Sequence, residues 1–141
     1  MASKLFLDAN VLLDYILVRE HYDDAKTIIE LVVNDGADAF ITSSVLHIVG
    51  YWVSKAYGDA QAKELLLVLL TDVTVIDISH ETAVIALHSK VNDIEDALQY
   101  YTAIVHKLDF FISRDKLLQR DSIPGLPVYT PREFINEFLA S

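Results

Sequence analysis

"LFLDANVLLDYI", residues 5–16, carries the decision about the fold. Leu5, Phe6 and Leu7 form an unbroken apolar run, as a strand covered on both faces requires. The run stops on Asp8. Asn10 follows two positions later, and the apolar residues then return in a second run that reads as a helix over 10–18. A carboxylate therefore stands where a buried strand gives way to a helix.

The rest of the chain repeats this alternation. Residues 22–35 read as a helix with Ala25, Ile28, Ile29, Val32 and Val33 on one face. A strand is expected over 38–42, then a helix to about Tyr57 capped by Ser43 or Ser44. Gly58 and Asp59 break it, and Asp59 is placed to cap a helix over 60–71. "VTVIDI", 73–78, reads as a strand, and Ser79 caps a helix to about Ser89. "NDIEDALQYYTAIVHKL", 92–108, is the clearest long helix. Residues 110–113 and 127–130 are the last strands, with a short helix over 115–120 between them. Thr130, Pro131 and Glu133 then spell a capping box with proline at the first helical position. The expected architecture is one α/β domain over 1–141, with about five parallel strands flanked by helices on both faces.

Bulk properties agree. The chain has 141 residues, 52% of them hydrophobic, which suits one domain with a real core. There is no cysteine, which excludes disulfides, thiol catalysis and thiolate metal sites. The apolar run 65–70 is too short to span a bilayer. A reducing cytoplasm fits these facts. The formal net charge is −10, from 21 acidic and 11 basic residues. That argues against broad electrostatic binding to nucleic acid.

Ligands of such a sheet sit beyond the carboxyl ends of the strands, where the strand order reverses. Asp8 and Asp115 follow strands there, and Asp93 and Asp96 open the long helix. Several carboxylates at one edge cannot all ionise unaided, and a divalent cation resolves the repulsion. Mg²⁺ takes hard oxygen ligands and retains waters. It supports attack of water on a phosphodiester. Asp8, Asp96 and Asp115 are the first-choice catalytic ligands, with Asp93 as a further metal ligand. Asn10 and Ser113 are placed to hold a carboxylate or a bound water by hydrogen bonds. Each acid also has a plain structural account as a helix cap, and Asn10 as a turn residue. The five histidines form no close metal-binding pair, and only His47 falls near the proposed site.

These segments together resemble the PIN domain family, of the small bacterial kind that includes the toxins of VapBC toxin–antitoxin pairs. "LFLDANVLLDYI" is similar to the family opening "hhhDtNvlld", where h is hydrophobic. "DIEDALQYYTA" resembles "DfeDAlqy..A", "FFISRDKLL" resembles "hivTrd..f", and "LPVYTPREFI" resembles the ending "i.vltP.efl". The resemblance implies Mg²⁺- or Mn²⁺-dependent cleavage of RNA, with Asp8, Asp96 and Asp115 as the acids, Asp93 as an extra one, and Asn10 and Ser113 as their polar companions. It also implies a cognate antitoxin covering the acidic cleft, and a homodimer. The dimer contact is expected from the helix of Tyr51, Trp52 and Tyr57 and from the following helix with "LLLVLL". One position departs from the pattern. Many PIN nucleases carry a Glu in the helix after the second strand, and here His47 and Ile48 stand in that neighbourhood. His47 is the substitute ligand the sequence offers, suited to Mn²⁺. The missing acid motivates a second reading, a non-catalytic PIN domain that binds RNA or protein. A third, a haloacid-dehalogenase-like phosphatase, rests on "DANVL" alone. Asn10 replaces the second Asp that its nucleophile motif needs.

Overall fold

The computed structural model describes residues 2–139. The chain runs β1 (Ser3–Leu7), α1 (Ala9–Ile16), α2 (Tyr22–Val33), β2 (Ala37–Thr42), α3 (Ser43–Tyr57), α4 (Asp59–Leu69), β3 (Val73–Ile76), α5 (His80–Leu87), α6 (Ile94–Val105), β4 (Phe110–Ile112), α7 (Lys116–Asp121), β5 (Val128–Tyr129) and α8 (Pro131–Phe134). A π-helical turn over Ile135–Leu139 follows.

All five strands are parallel, in the order β3-β2-β1-β4-β5. The chain winds outward from β1 through β2 to β3, then crosses back to β4 on the other side of β1. Right-handed crossovers in this order put α1–α4 on one face and α5–α7 on the other. The reversal falls between β1 and β4, so a crevice opens at their carboxyl ends. Phe6 and Phe111 face each other across this pair, rings stacked at 4.6 Å. Leu5, Phe6 and Leu7 are fully buried, as a strand covered on both faces demands. Tyr100 of α6 packs on Phe111 at 5.5 Å. Its hydroxyl donates to Leu126 O and accepts from Ile123 N–H, which pins the loop before β5 to α6.

Several helix starts follow the sequence. Ser79 accepts from Thr82 N–H, and Thr130 with Glu133 completes the capping box behind Pro131. Two caps are corrected. Thr42, the last residue of β2, caps α3 by accepting from Val45 N–H, while Ser43 and Ser44 already lie inside the helix. The strand's own final residue has the extended backbone a cap requires, so no serine is needed. At α4 the cap position belongs to Gly58, whose φ of 88° is open to glycine; Asp59 is the first helical residue and makes no cap bond. The strand expected over 73–78 ends at Ile76. Among the described residues, no helix is long and apolar enough to cross a membrane.

Candidate metal centre

Asp8 lies one residue beyond β1. Its backbone N–H donates to Ile112 O at 3.1 Å and so extends the β1–β4 ladder. It occupies the N-cap position of α1, yet its side chain makes no cap bond. The carboxylate instead accepts from Ser113 Oγ at 2.8 Å. Capping therefore does not account for this acid. Ser113 is buried and also accepts from Asp115 N–H at 3.1 Å, so one hydroxyl ties the first acid to the last. Burial pushes the Asp8 carboxyl up, the Ser113 bond opposes this, and the Asp115 charge adds to the rise.

Asp115 does cap its helix. Its Oδ1 accepts from Leu117 and Leu118 N–H at 2.9 and 3.1 Å. Asp93 likewise caps α6, its Oδ1 accepting from Asp96 N–H at 2.9 Å. Capping and a role in the cleft are compatible here, because in each case the bonds fall on one oxygen. Asp96, in the first turn of α6, is half-buried and lies within hydrogen-bonding reach of the Asp115 carboxylate. Burial first, then that contact and the charges of Asp93, Asp115 and Asp8, push its carboxyl up to about 8. All four expected acids line one open cleft of about 550 Å³, together with Asn10, Ile48 and Trp52.

Two placements differ from the sequence reading. Asn10 lines the cleft, but its Oδ1 accepts from Arg19 Nη2 at 3.1 Å, so it holds a guanidinium. His47 is not in the cleft. It lines a separate concavity with Gly50, Tyr51, Ser54 and Lys55. On a helix, neighbouring residues point about 100° apart. Ile48 and Trp52, four residues apart, take the cleft side of α3, and His47 turns away. The substitute-ligand role for His47 therefore fails on geometry.

Two residues escaped notice. Glu95 lines the cleft and its carboxyl is pushed up by burial and by Asp93, against a hydrogen bond from Gln99 Nε2 at 3.2 Å. It stood inside "DIEDAL" between the two acids already chosen. Asp14 is buried beneath the cleft edge. It accepts from Arg19 Nε at 3.0 Å and from Arg114 Nη2 at 2.9 Å. The turn that delivers Arg19 is strained. Val18 takes φ 52° at the end of α1, and Arg19 N–H then closes onto Asp14 O at 3.0 Å. A left-handed conformation at a β-branched residue costs about 1–2 kcal/mol.

The donor set suits a hard divalent cation. Its acids offer carboxylate oxygen and repel one another, with Asp96 driven toward its neutral form first by burial and then by its acidic neighbours, while Arg19 and Arg114 stand at the cleft edge. Among the described residues, no three acidic or imidazole groups stand close enough to enclose an ion unaided.

Comparison with known proteins sets this cleft in context. The family model described as PIN domain matches residues 4–117. No curated protein matches by sequence. Among solved structures, the chain is similar to VapBC2 from Rickettsia felis bound to a promoter DNA fragment, at TM-score 0.69 and 20% identity, covering 90% of this chain and 98% of that one. It is similar to a toxin–antitoxin complex from Klebsiella pneumoniae, at TM-score 0.68 and 27% identity, covering 92% and 98%. It also resembles VapC20 of Mycobacterium tuberculosis, a Sarcin-Ricin loop cleaving toxin, at TM-score 0.65 and 12% identity, covering 84% and 96%. The family match takes in the strand carrying Asp8, the helix carrying Asp93 and Asp96, and the strand and turn carrying Ser113 and Asp115; the chain belongs to the PIN domain family.

Proposed function

We propose that this protein is a Mg²⁺- or Mn²⁺-dependent endoribonuclease, with Asp8, Asp96 and Asp115 as its principal acids and Asp93 as an added one. The observation that carries the reading is the gathering of these carboxylates in one cleft, with Asp96 pushed up to about 8 by burial and by its neighbours. A divalent ion supplies positive charge at the scissile phosphate and acidifies water. The chain's part is to position. Ser113 orients Asp8, the α7 backbone amides fix Asp115, and Asp93 fixes the start of α6. A toxin role with a cognate antitoxin is part of the proposal, supported by similarity to the R. felis and K. pneumoniae complexes. The test is cleavage of a mixed RNA pool with Mg²⁺ or Mn²⁺, with and without EDTA. Metal-dependent cutting that Asp8→Asn removes supports the nuclease.

The non-catalytic alternative has one observation in its favour: Ile48 faces the cleft where related nucleases place an acid. Ile48→Glu separates the two. In a nuclease short of one ligand, the added charge strengthens the hold on the cation, and cleavage in Mg²⁺ should rise about tenfold, equal to about 1.4 kcal/mol. Asp8→Asn in the same variant should cancel the gain. No cutting by the parent or by Ile48→Glu in either metal would leave the binding module as the better account.

The homodimer is proposed through α3 and α4. Tyr51, Tyr57, Leu67 and Val68 are exposed apolar side chains on these two helices. Sedimentation at micromolar concentration should report a dimer, and Val68→Glu should yield monomer. A monomeric parent would remove this part of the proposal.

A further inference from the structure

The chain has 11 Lys and Arg residues against 21 acids, so where the cations sit matters more than how many there are. Lys55 lies over the rings of Tyr51 and Trp52, at 5.1 and 5.9 Å, on the His47 side of α3. Lys4 and Lys107 line a separate concavity with Asp109. Arg120 is paired with Asp121. Arg19 and Arg114, by contrast, both line the acidic cleft. Arg114 also lines an adjoining concavity of about 450 Å³, with Lys116, Arg132, His21, Asp24 and Thr130. One arginine is thus shared by two hollows. The second hollow holds three fixed cations and a single acid, Asp24, which is paired with Arg132.

Arg114 is held at Nη2 by Asp14, with its side chain one-third exposed. The planar guanidinium fork suits a phosphate, whose oxygens it can take two at a time. Asp14 holds Arg114 and Arg19 in place, so both cations meet a ligand without first being ordered.

We infer that a single-stranded RNA leaves the acidic cleft over the Arg19–Arg114 edge and runs into the second hollow, where Arg114, Lys116 and Arg132 bind successive backbone phosphates. This rests on the nuclease reading and deepens it by assigning the strand's path. An acidic peptide has the same sign of charge. RNA is favoured because the hollow shares Arg114 with the cleft proposed to cut the strand, and a cut strand must extend past that cleft. The three cations address backbone charge, which carries no sequence information directly.

The experiment measures binding without cutting. A short fluorescein-labelled single-stranded RNA is titrated by anisotropy over a range of salt, in EDTA and again in Ca²⁺. Each phosphate contact contributes about 0.7 to the slope of log K against log salt. Lys116→Ala and Arg132→Ala should each lower affinity severalfold and reduce the slope by about 0.7, and the pair by about 1.4. Arg132→Lys should restore the slope, and Asp24→Ala, which removes the ion pair and keeps the cation, should leave it unchanged, as it would not if Arg132 acted only through that pair. Lys63→Ala and Lys107→Ala should leave both quantities unchanged. If the parent binds and the slopes of Lys116→Ala and Arg132→Ala match it, the path is wrong while the nuclease reading stands. If the parent binds no RNA, or binds polyglutamate in its place, the path is also wrong. The cleavage assay, run separately in Mg²⁺, then decides the nuclease reading by itself.

Discussion

Asp96→Asn should reduce metal-dependent RNA cleavage by at least about a hundredfold, the loss expected when about 3 kcal/mol of charge stabilisation is removed from the transition state. The same change should stabilise the metal-free protein near neutral pH. The two effects share one cause. The Asp96 carboxyl ordinarily titrates near 3.8, and in the folded protein burial and three neighbouring acids push it up to about 8. Between these values the folded state holds the proton more tightly than the unfolded chain does. Folding stability is therefore fully present below pH 4 and is lost progressively as pH rises toward 8. Asparagine carries no charge and escapes this loss. Thermal melts in EDTA should show the variant several degrees above the parent at pH 8, and no advantage at pH 4. Each kcal/mol moves the midpoint of a chain this long by about 3–5 °C. Mg²⁺ should raise the parent's midpoint at pH 8 and do little for Asp96→Asn. Equal metal shifts in both proteins would place the cation elsewhere.

The largest loss of stability is expected at Asp14→Ala. This carboxylate is 1% exposed and receives hydrogen bonds from Arg19 and Arg114. Removing one side of a buried ion pair typically costs about 3–5 kcal/mol. Here the two guanidiniums left behind are one-third or more exposed and can turn to water. The expected cost is accordingly lower, about 2–3 kcal/mol. Chemical denaturation should report it as a shift in midpoint at constant slope. Asp14→Asn keeps the acceptor oxygen and should cost less than Asp14→Ala. If the two cost the same, the contribution of Asp14 is charge alone.

What could be read along the chain, and what could not, divides on one physical line. The junctions at Asp8 and Asp115 were legible because each is local: an apolar strand, then a polar stretch, then a helical period; Asp93 was legible as the polar residue that opens a helical period. The capping bonds of Asp93 and Asp115 span three residues at most. Thr42 was overlooked in favour of Ser43 and Ser44 because three hydroxyls in a row give the pattern no means of choosing. Asp14 was illegible for a stronger reason. Its partner Arg114 lies 100 residues away, and within α1 it reads as an exposed polar position. Asn10 shows the same blindness on a smaller scale, since its bond to Arg19 depends on the turn at Val18. His47 was misplaced because proximity along the chain was taken for proximity in space, and one helical step of 100° was enough to carry it out of the cleft.

The bond from Ser113 to Asp8 joins residues 105 apart. At translation rates of about 5–20 residues per second, the ribosome needs about 5–20 s to travel that distance. Through that interval the nascent chain possesses its first acid but neither the hydroxyl that orients it nor the strand that walls the crevice. A polypeptide released early therefore lacks the arrangement on which the proposed hydrolysis rests, whatever its opening strand has already paired with. Completion of the cleft waits on β4 and the turn after it. Ribosome-bound chains arrested before β4 should show no metal-dependent thermal or cleavage signature, and chains extended by a linker that carries Ser113 and Asp115 clear of the exit tunnel should show both.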